Sequence, residues 1–166
     1  MFTHRLFSLR RAGLAVGRTF QALCFVQLFI DHVGAVKLSF GPSMMPTFSA
    51  GNNLILEECI SPRLNPPRLE RGDIITFLKP TEHSVSVCKR ILGLPGDTVC
   101  YDPAGLHPSM HIIVPQGHVW VQGDNSSHSL DSRAYGPIPM GLIRGKIFVE
   151  LYPRPRFISN GTTYIA

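Results

Sequence analysis

Three short stretches of this chain carry residue types that could break a bond. In Gly41-Pro42-Ser43-Met44-Met45-Pro46-Thr47 one serine sits between turn-forming residues. Pro42 fixes its own φ and steers Gly41 away from helix, and Pro46 does the same to Met45, so the backbone holds Ser43 in an extended or turning shape that presents its hydroxyl. A serine between prolines is by itself an ordinary turn residue. As a nucleophile it needs a base within reach, either a histidine or a neutral lysine. The second stretch, Ser84-Val85-Ser86-Val87-Cys88-Lys89-Arg90-Ile91-Leu92-Gly93, alternates as a strand does and places Lys89 on the face of Val85, Val87 and Ile91. A lysine with a pKa of ~10.4 is no base at neutral pH, but desolvation favours its uncharged form; bringing it down by about three pH units costs about 4 kcal/mol and needs a tight pocket. The plainer alternative is a lysine that snorkels from a strand edge. Arg90, on the opposite face, reads as a solvated or salt-bridged charge. The third stretch, Gly123 to Pro137, is a polar loop in which Ser129, Asp131 and Arg133 alternate. It offers a hydroxyl and an ion pair able to orient a buried amine.

Together these stretches resemble the type I signal peptidases, membrane-anchored serine proteases with a Ser/Lys dyad. The resemblance covers roughly residues 40–150 in the family's order: the serine box 41–47, Arg71-Gly72-Asp73-Ile74-Ile75, Lys89-Arg90-Ile91-Leu92-Gly93-Leu94-Pro95-Gly96-Asp97, and Gly123-Asp124-Asn125 through Ser129, Asp131, Ser132 and Arg133. It implies Ser43 as nucleophile, Lys89 as general base, Ser129 hydrogen-bonded to the lysine, and Asp131 paired with Arg133 to hold the loop. It implies no metal and no cofactor. Within the family the chain looks most like the mitochondrial inner membrane peptidases, of the subunit 1 type rather than subunit 2, through Gly41-Pro42-Ser43-Met44, Cys88-Lys89-Arg90 and Tyr135-Gly136-Pro137-Ile138-Pro139 followed by Gly141-Leu142-Ile143-Arg144-Gly145. That resemblance implies removal of sorting presequences from precursors bound for the intermembrane space, and a heterodimer with the second subunit. One position departs from the bacterial pattern. Where those members often carry a serine whose hydroxyl helps form the oxyanion hole, this chain has Gly41, so the hole must rest on backbone donors such as the Ser43 amide or on another side chain.

The elements that must position these groups follow from the rest of the chain. Its 166 residues allow one modest domain behind an anchor. The formal charge of +5 is concentrated at the N-terminus: Arg5, Arg10, Arg11 and Arg18 precede the first acid, Asp31. Without those four the remainder is close to neutral, which excludes the electrostatic footprint of a nucleic-acid binder. Residues 1–18, basic and free of acids, have the composition of a mitochondrial targeting segment or of the matrix-side flank of an anchor. The apolar run 19–30 would span only about 18 Å as a helix, against ~30 Å of hydrocarbon. An anchor helix over 19–38 is long enough but carries a polar stripe of Cys24, Gln27 and Asp31 with Gln21 at its margin, which points to a partner helix or an interfacial lie. The catalytic domain is expected over 39–152 and a loosely ordered tail over 153–166.

Strands are expected at 53–58, 73–78, 84–93, 98–101, 111–114, 118–122 and 143–152, with loops at 61–67 and 102–110. Short, regularly spaced strands with Gly/Pro turns predict a mainly β, barrel-like or sheet domain behind one N-terminal helix. Cys24, Cys59, Cys88 and Cys100 have neither zinc-ligand nor disulfide spacing, and the seven histidines have no ligand spacing either. His128 is a rival base by its place in the polar loop. Asn125-Ser126-Ser127 and Asn160-Gly161-Thr162 satisfy a glycosylation sequon, which matters only in the secretory pathway. Three other readings fit part of this pattern: a non-catalytic docking subunit, encouraged by Gly41; a signal peptidase of the endoplasmic reticulum; and a self-cleaving repressor, which lacks its helix-turn-helix here.

Overall fold

The computed structural model describes residues 2–101 and 110–160; within it, the side chains of residues 2–12, 30–32 and 83 lie outside the description. The loop expected at 102–110 and the end of the tail therefore fall largely outside the described residues. The chain opens with α1, Phe2–His32, whose described apolar side chains, Leu14, Phe20, Phe25 and Phe29 among them, are exposed. Among the described residues no helix is long and apolar enough to cross a membrane by itself. The expectation that helix continues to residue 38 gives way at Gly34. There the backbone becomes β1, Gly34–Ser39, because antiparallel pairing with β2, Asn53–Glu58, in register from Gly34↔Glu58 to Ser39↔Asn53, gives its inward-facing backbone groups ladder partners.

The remaining strands are β3, Ile74–Lys79; β4, Glu82–Gly93; β5, Thr98–Cys100; β6, His111–Ile113; β7, His118–Gln122; β8, Ile138–Pro139; β9, Ile143–Tyr152; and β10, Arg156–Phe157. A short helix α2, Ser132–Tyr135, precedes β8. Eight strands form one antiparallel sheet in the order β1-β2-β9-β3-β4-β7-β8, with β10 added to β9, while β5 and β6 make a separate hairpin. The fold is thus mainly β behind one N-terminal helix, as expected.

Closure into a barrel does not occur among the described residues. Register shifts in the β2–β9, β3–β9 and β4–β7 pairs bend the sheet, but the path ends in a two-residue strand, β8, too short to carry a ladder back to β1. Nor is the chain after residue 153 irregular throughout, because Arg156 and Phe157 pair with Glu150 and Val149.

Strict alternation gives the sheet two buried clusters. Ile75, Phe77, Ile91, Val119, Val121, Ile138 and Ile143, with Leu69, form one. Met44, Phe48, Ile55, Ile74 and Ile147 form the other. Each such side chain contributes about 1.5–3 kcal/mol when fully buried. The two clusters bracket β3 and β4, the strands that carry Lys89 and its neighbours, and so make a stiff platform for it.

Candidate active site

The serine loop is built by a glycine, a proline and a buried methionine. Gly41 has φ 110 and ψ 158, a region that is essentially glycine-only, and it turns the chain out of β1. Pro42 then opens a single 3-10 turn, Pro42–Met44. Met44, 3% exposed, is anchored in the cluster with Phe48, and the Phe48 amide donates to the Met44 carbonyl at 2.9 Å. The half-buried Ser43 is therefore held between a rigid ring and a buried plug.

Lys89 comes from β4, where it stands opposite Ile75 of β3. It is only 4% exposed, and its Nζ lies 2.7 Å from Ser43 Oγ, hydrogen-bonded across 46 residues of sequence. Burial lowers its pKa from the ordinary value, while the fields of Cys88, Asp131 and Asp124 act to hold the proton. The first of these fields requires a thiolate, yet burial pushes the Cys88 thiol up to about 12. Near neutral pH that thiol is uncharged, so it neither holds the lysine's proton nor competes as a nucleophile. A desolvated amine at hydrogen-bond distance from a hydroxyl can take its proton when neutral.

The polar loop is organised by Asp131, which is fully buried. It accepts from Arg133 Nε at 2.9 Å, Arg133 Nη2 at 2.9 Å, Ser129 Oγ at 2.7 Å and the Gly123 amide at 3.0 Å. Burial pushes the carboxyl's pKa up, but Arg133, Ser129 and the Gly123 amide together outweigh it and leave it below the ordinary value. The ion pair expected between Asp131 and Arg133 is present. The hydroxyl proton of Ser129 goes to Asp131, whereas the resemblance implied a bond to the lysine; the reason is that a carboxylate with several donors is the stronger acceptor. Asp131 still reaches Lys89 through its field. His128 is exposed at the end of a 3-10 turn, Ser126–His128, and the partner of the Ser43 hydroxyl is Lys89.

A second set of contacts ties the polar loop to the serine loop. Arg90 forms a two-pronged ion pair with Asp124, Nε to Oδ1 at 2.8 Å and Nη2 to Oδ2 at 2.7 Å, and Thr47 donates its hydroxyl proton to the same carboxylate. Asn125 donates its backbone N–H to the Ser43 carbonyl at 3.0 Å and its Nδ2 to the Pro42 carbonyl at 3.1 Å. Gly123 packs so closely that a Cβ there would lie 2.3 Å from Ser129 Oγ and 2.4 Å from the Ser43 carbonyl oxygen. Sequence reasoning gave Thr47 and Asn125 no role. The only signal available was that they lie inside the motif boxes, since partners 77 and 83 residues apart become neighbours only through the sheet.

Between the end of β1 and β4 runs a cleft of roughly 270 Å³ lined by Leu38, Phe40, Val85 and Val87, with Ser43 and Lys89 in its wall. An open, largely apolar groove beside a dyad suits an extended peptide.

Comparison with known proteins agrees with this geometry. Residues 14–108 and 104–152 match the family model described as signal peptidase, peptidase S26. Mitochondrial inner membrane protease subunit 1 of Schizosaccharomyces pombe is 41% identical over 140 residues, covering 84% of this chain and 87% of that protein. The Homo sapiens protein of the same name is 39% identical over 142 residues, 86% of this chain and 84% of that one. Mitochondrial inner membrane protease subunit 2 of Saccharomyces cerevisiae is 38% identical over 132 residues, 77% and 72% of the two chains. The reading as an endoplasmic-reticulum enzyme gives way to the mitochondrial one, and the match to a peptidase family over most of the chain sets aside the repressor and the purely structural subunit: the chain belongs to the S26 signal peptidase family, as a serine peptidase of the mitochondrial inner membrane.

Proposed function

We propose that Ser43 is the nucleophile and Lys89 the general base of presequence cleavage, and the observation that carries this is the buried amine 2.7 Å from the serine hydroxyl. Neutral Lys89 takes the proton of Ser43 Oγ as that oxygen attacks the scissile carbonyl. The oxyanion forms opposite the Ser43 N–H. Collapse expels the amine, which leaves with the proton carried by Lys89, and an ester on Ser43 remains. Lys89, neutral again, deprotonates the water that attacks the ester, and returns that proton to Ser43 Oγ as the acyl–oxygen bond breaks and the acid product leaves. Asp131 and Arg133 hold the loop, with Ser129 bridging to Asp131, so that the amine keeps its place without these groups doing chemistry. The substrate lies extended in the cleft beside β1 and β4, with backbone pairing for affinity and shallow apolar pockets for selection.

The same reading assigns residues 1–18 to targeting or flanking, 19–38 to the membrane-anchor region, 39–152 to catalysis and 153–166 to a tail. The N-terminal arginines favour the matrix side, which puts the catalytic domain in the intermembrane space. Protease added to mitoplasts should therefore digest that domain; protection would reverse the orientation. A second peptidase subunit is the proposed partner, supported by relatives named as subunits and by the polar stripe of α1. The deciding experiment replaces the native chain in mitochondria with Ser43→Ala. Intermembrane-space precursors should accumulate uncut at normal levels of the variant, and normal processing would remove Ser43 from the chemistry.

A further inference from the structure

Asn125 makes two hydrogen bonds to the peptide groups on either side of the Ser43 Cα. Its backbone N–H meets the Ser43 carbonyl at 3.0 Å, and its Nδ2 meets the Pro42 carbonyl at 3.1 Å. The Pro42 carbonyl also accepts from the Met45 amide at 3.1 Å, so both of its lone pairs are engaged. Among the described residues the Ser43 N–H has no acceptor. In a trans peptide the C=O and N–H point in opposite directions from one rigid plane. Whatever fixes the Pro42 carbonyl therefore fixes the direction of the Ser43 N–H.

We propose that Asn125 is a positioning residue for the oxyanion: by holding the Pro42–Ser43 peptide plane it aims the Ser43 N–H at the place where negative charge develops. This rests on the assignment of Ser43 as nucleophile. The role matters more in this chain than where a hydroxyl assists, because Gly41 supplies none and a backbone donor carries the load. The Pro42 ring fixes φ of that residue but leaves its ψ free to turn the peptide plane, and Asn125 restrains that rotation by holding the carbonyl. Two donors on that carbonyl also polarise the peptide and strengthen its N–H as a donor. Since the oxyanion exists only in the transition state and the intermediate, the contribution should appear in kcat and not in KM.

The test uses the full chain with its partner subunit and a quenched fluorogenic peptide spanning a presequence cleavage site. Loss of an oxyanion donor costs about 10²–10³ in kcat; with the Met45 amide still on the carbonyl, Asn125→Ala should lower kcat by about tenfold with KM changed less than twofold. If that variant does not fold, the near-isosteric Asn125→Asp, which loses the donor at neutral pH, carries the same comparison. An unchanged kcat overturns the proposal, as does a fall in kcat/KM that comes from KM alone. Ser43→Ala is measured in parallel. Lost activity there with unchanged Asn125→Ala kcat refutes only the role of Asn125, whereas retained activity in Ser43→Ala refutes the dyad beneath it.

Discussion

Replacing Lys89 with methionine should destroy activity and at the same time stabilise the fold at neutral pH. Lys89 is 4% exposed, and burial lowers its pKa from the ordinary 10.5 against the fields of Asp131 and Asp124. The unfolded chain keeps the lysine proton up to the ordinary value, while the folded chain releases it earlier. Between those two points the unfolded state binds more protons, so native stability rises with pH, by up to about 1.4 kcal/mol per pH unit. Below the folded value the slope vanishes and the whole desolvation penalty remains. Methionine, unbranched and apolar, fills the same channel without that penalty. It forfeits one hydrogen bond to Ser43, a net loss of about 1 kcal/mol, which water can partly restore because the serine is half-buried. Asp131 and Asp124 keep Arg133 and Arg90 as counterions. Lys89→Met should thus melt higher than the native chain at pH 7, by about 2–4 °C per kcal/mol gained, with the gap narrowing as pH approaches 10. Turnover of a presequence peptide should fall at least 10²–10⁴-fold with its general base gone. Thermal unfolding at pH 7, 8, 9 and 10, beside the cleavage assay, reads both effects. A lower melting point with a pH-independent gap, or turnover within tenfold of native, would refute the reasoning.

Two other substitutions probe the loops. Gly123→Ala places a methyl 2.4 Å from the Ser43 carbonyl oxygen and 2.3 Å from Ser129 Oγ, so the serine loop must move; a shift of about 1 Å at a nucleophile costs about 10² in rate, and peptide cleavage should show it even if the variant melts normally. Asp131→Asn removes the carboxylate charge that faces Arg133, whose side chain is 18% exposed. Arg133 keeps the Ser126 carbonyl, which puts the loss at the lower end of the range for a broken buried pair, about 3 kcal/mol. Because the Asp131 carboxyl is held below its ordinary 3.8, the stability it gives is complete above that value and is lost as pH falls toward the lowered one. Acid unfolding of the variant should lack that part of the native slope, and a native-like acid limb would count against the assignment.

The contact between Ser43 and Lys89 was foreseen because the resemblance pairs them; the two prolines around Ser43 and the strand alternation around Lys89 made each a candidate and no more. Strands β2, β7 and β9 were legible through apolar alternation bounded by turns. β1 was hidden because Gly34–Ser39 continues an apolar run from α1, and local hydropathy is the same for a helix that goes on and for an edge strand. Only pairing with β2 decides between them. β8 and β10, two residues each, are too short to have a period at all. Arg90–Asp124 and the Asn125 clamp join segments 34 and 83 residues apart, and no spacing rule along the chain reports such a distance. Gly41 is the case where sequence and geometry say different things about one residue. Read along the chain, it is a missing hydroxyl. In the fold, its φ of 110 and ψ of 158 form a conformation that a serine adopts only with strain of about 1–3 kcal/mol, although nothing lies within 4 Å of where its Cβ would stand. Backbone shape, not space, therefore excludes the side chain. The turn that delivers Ser43 to Lys89 is the same one that removes the hydroxyl donor, which is why, in the proposed mechanism, the oxyanion falls to the backbone.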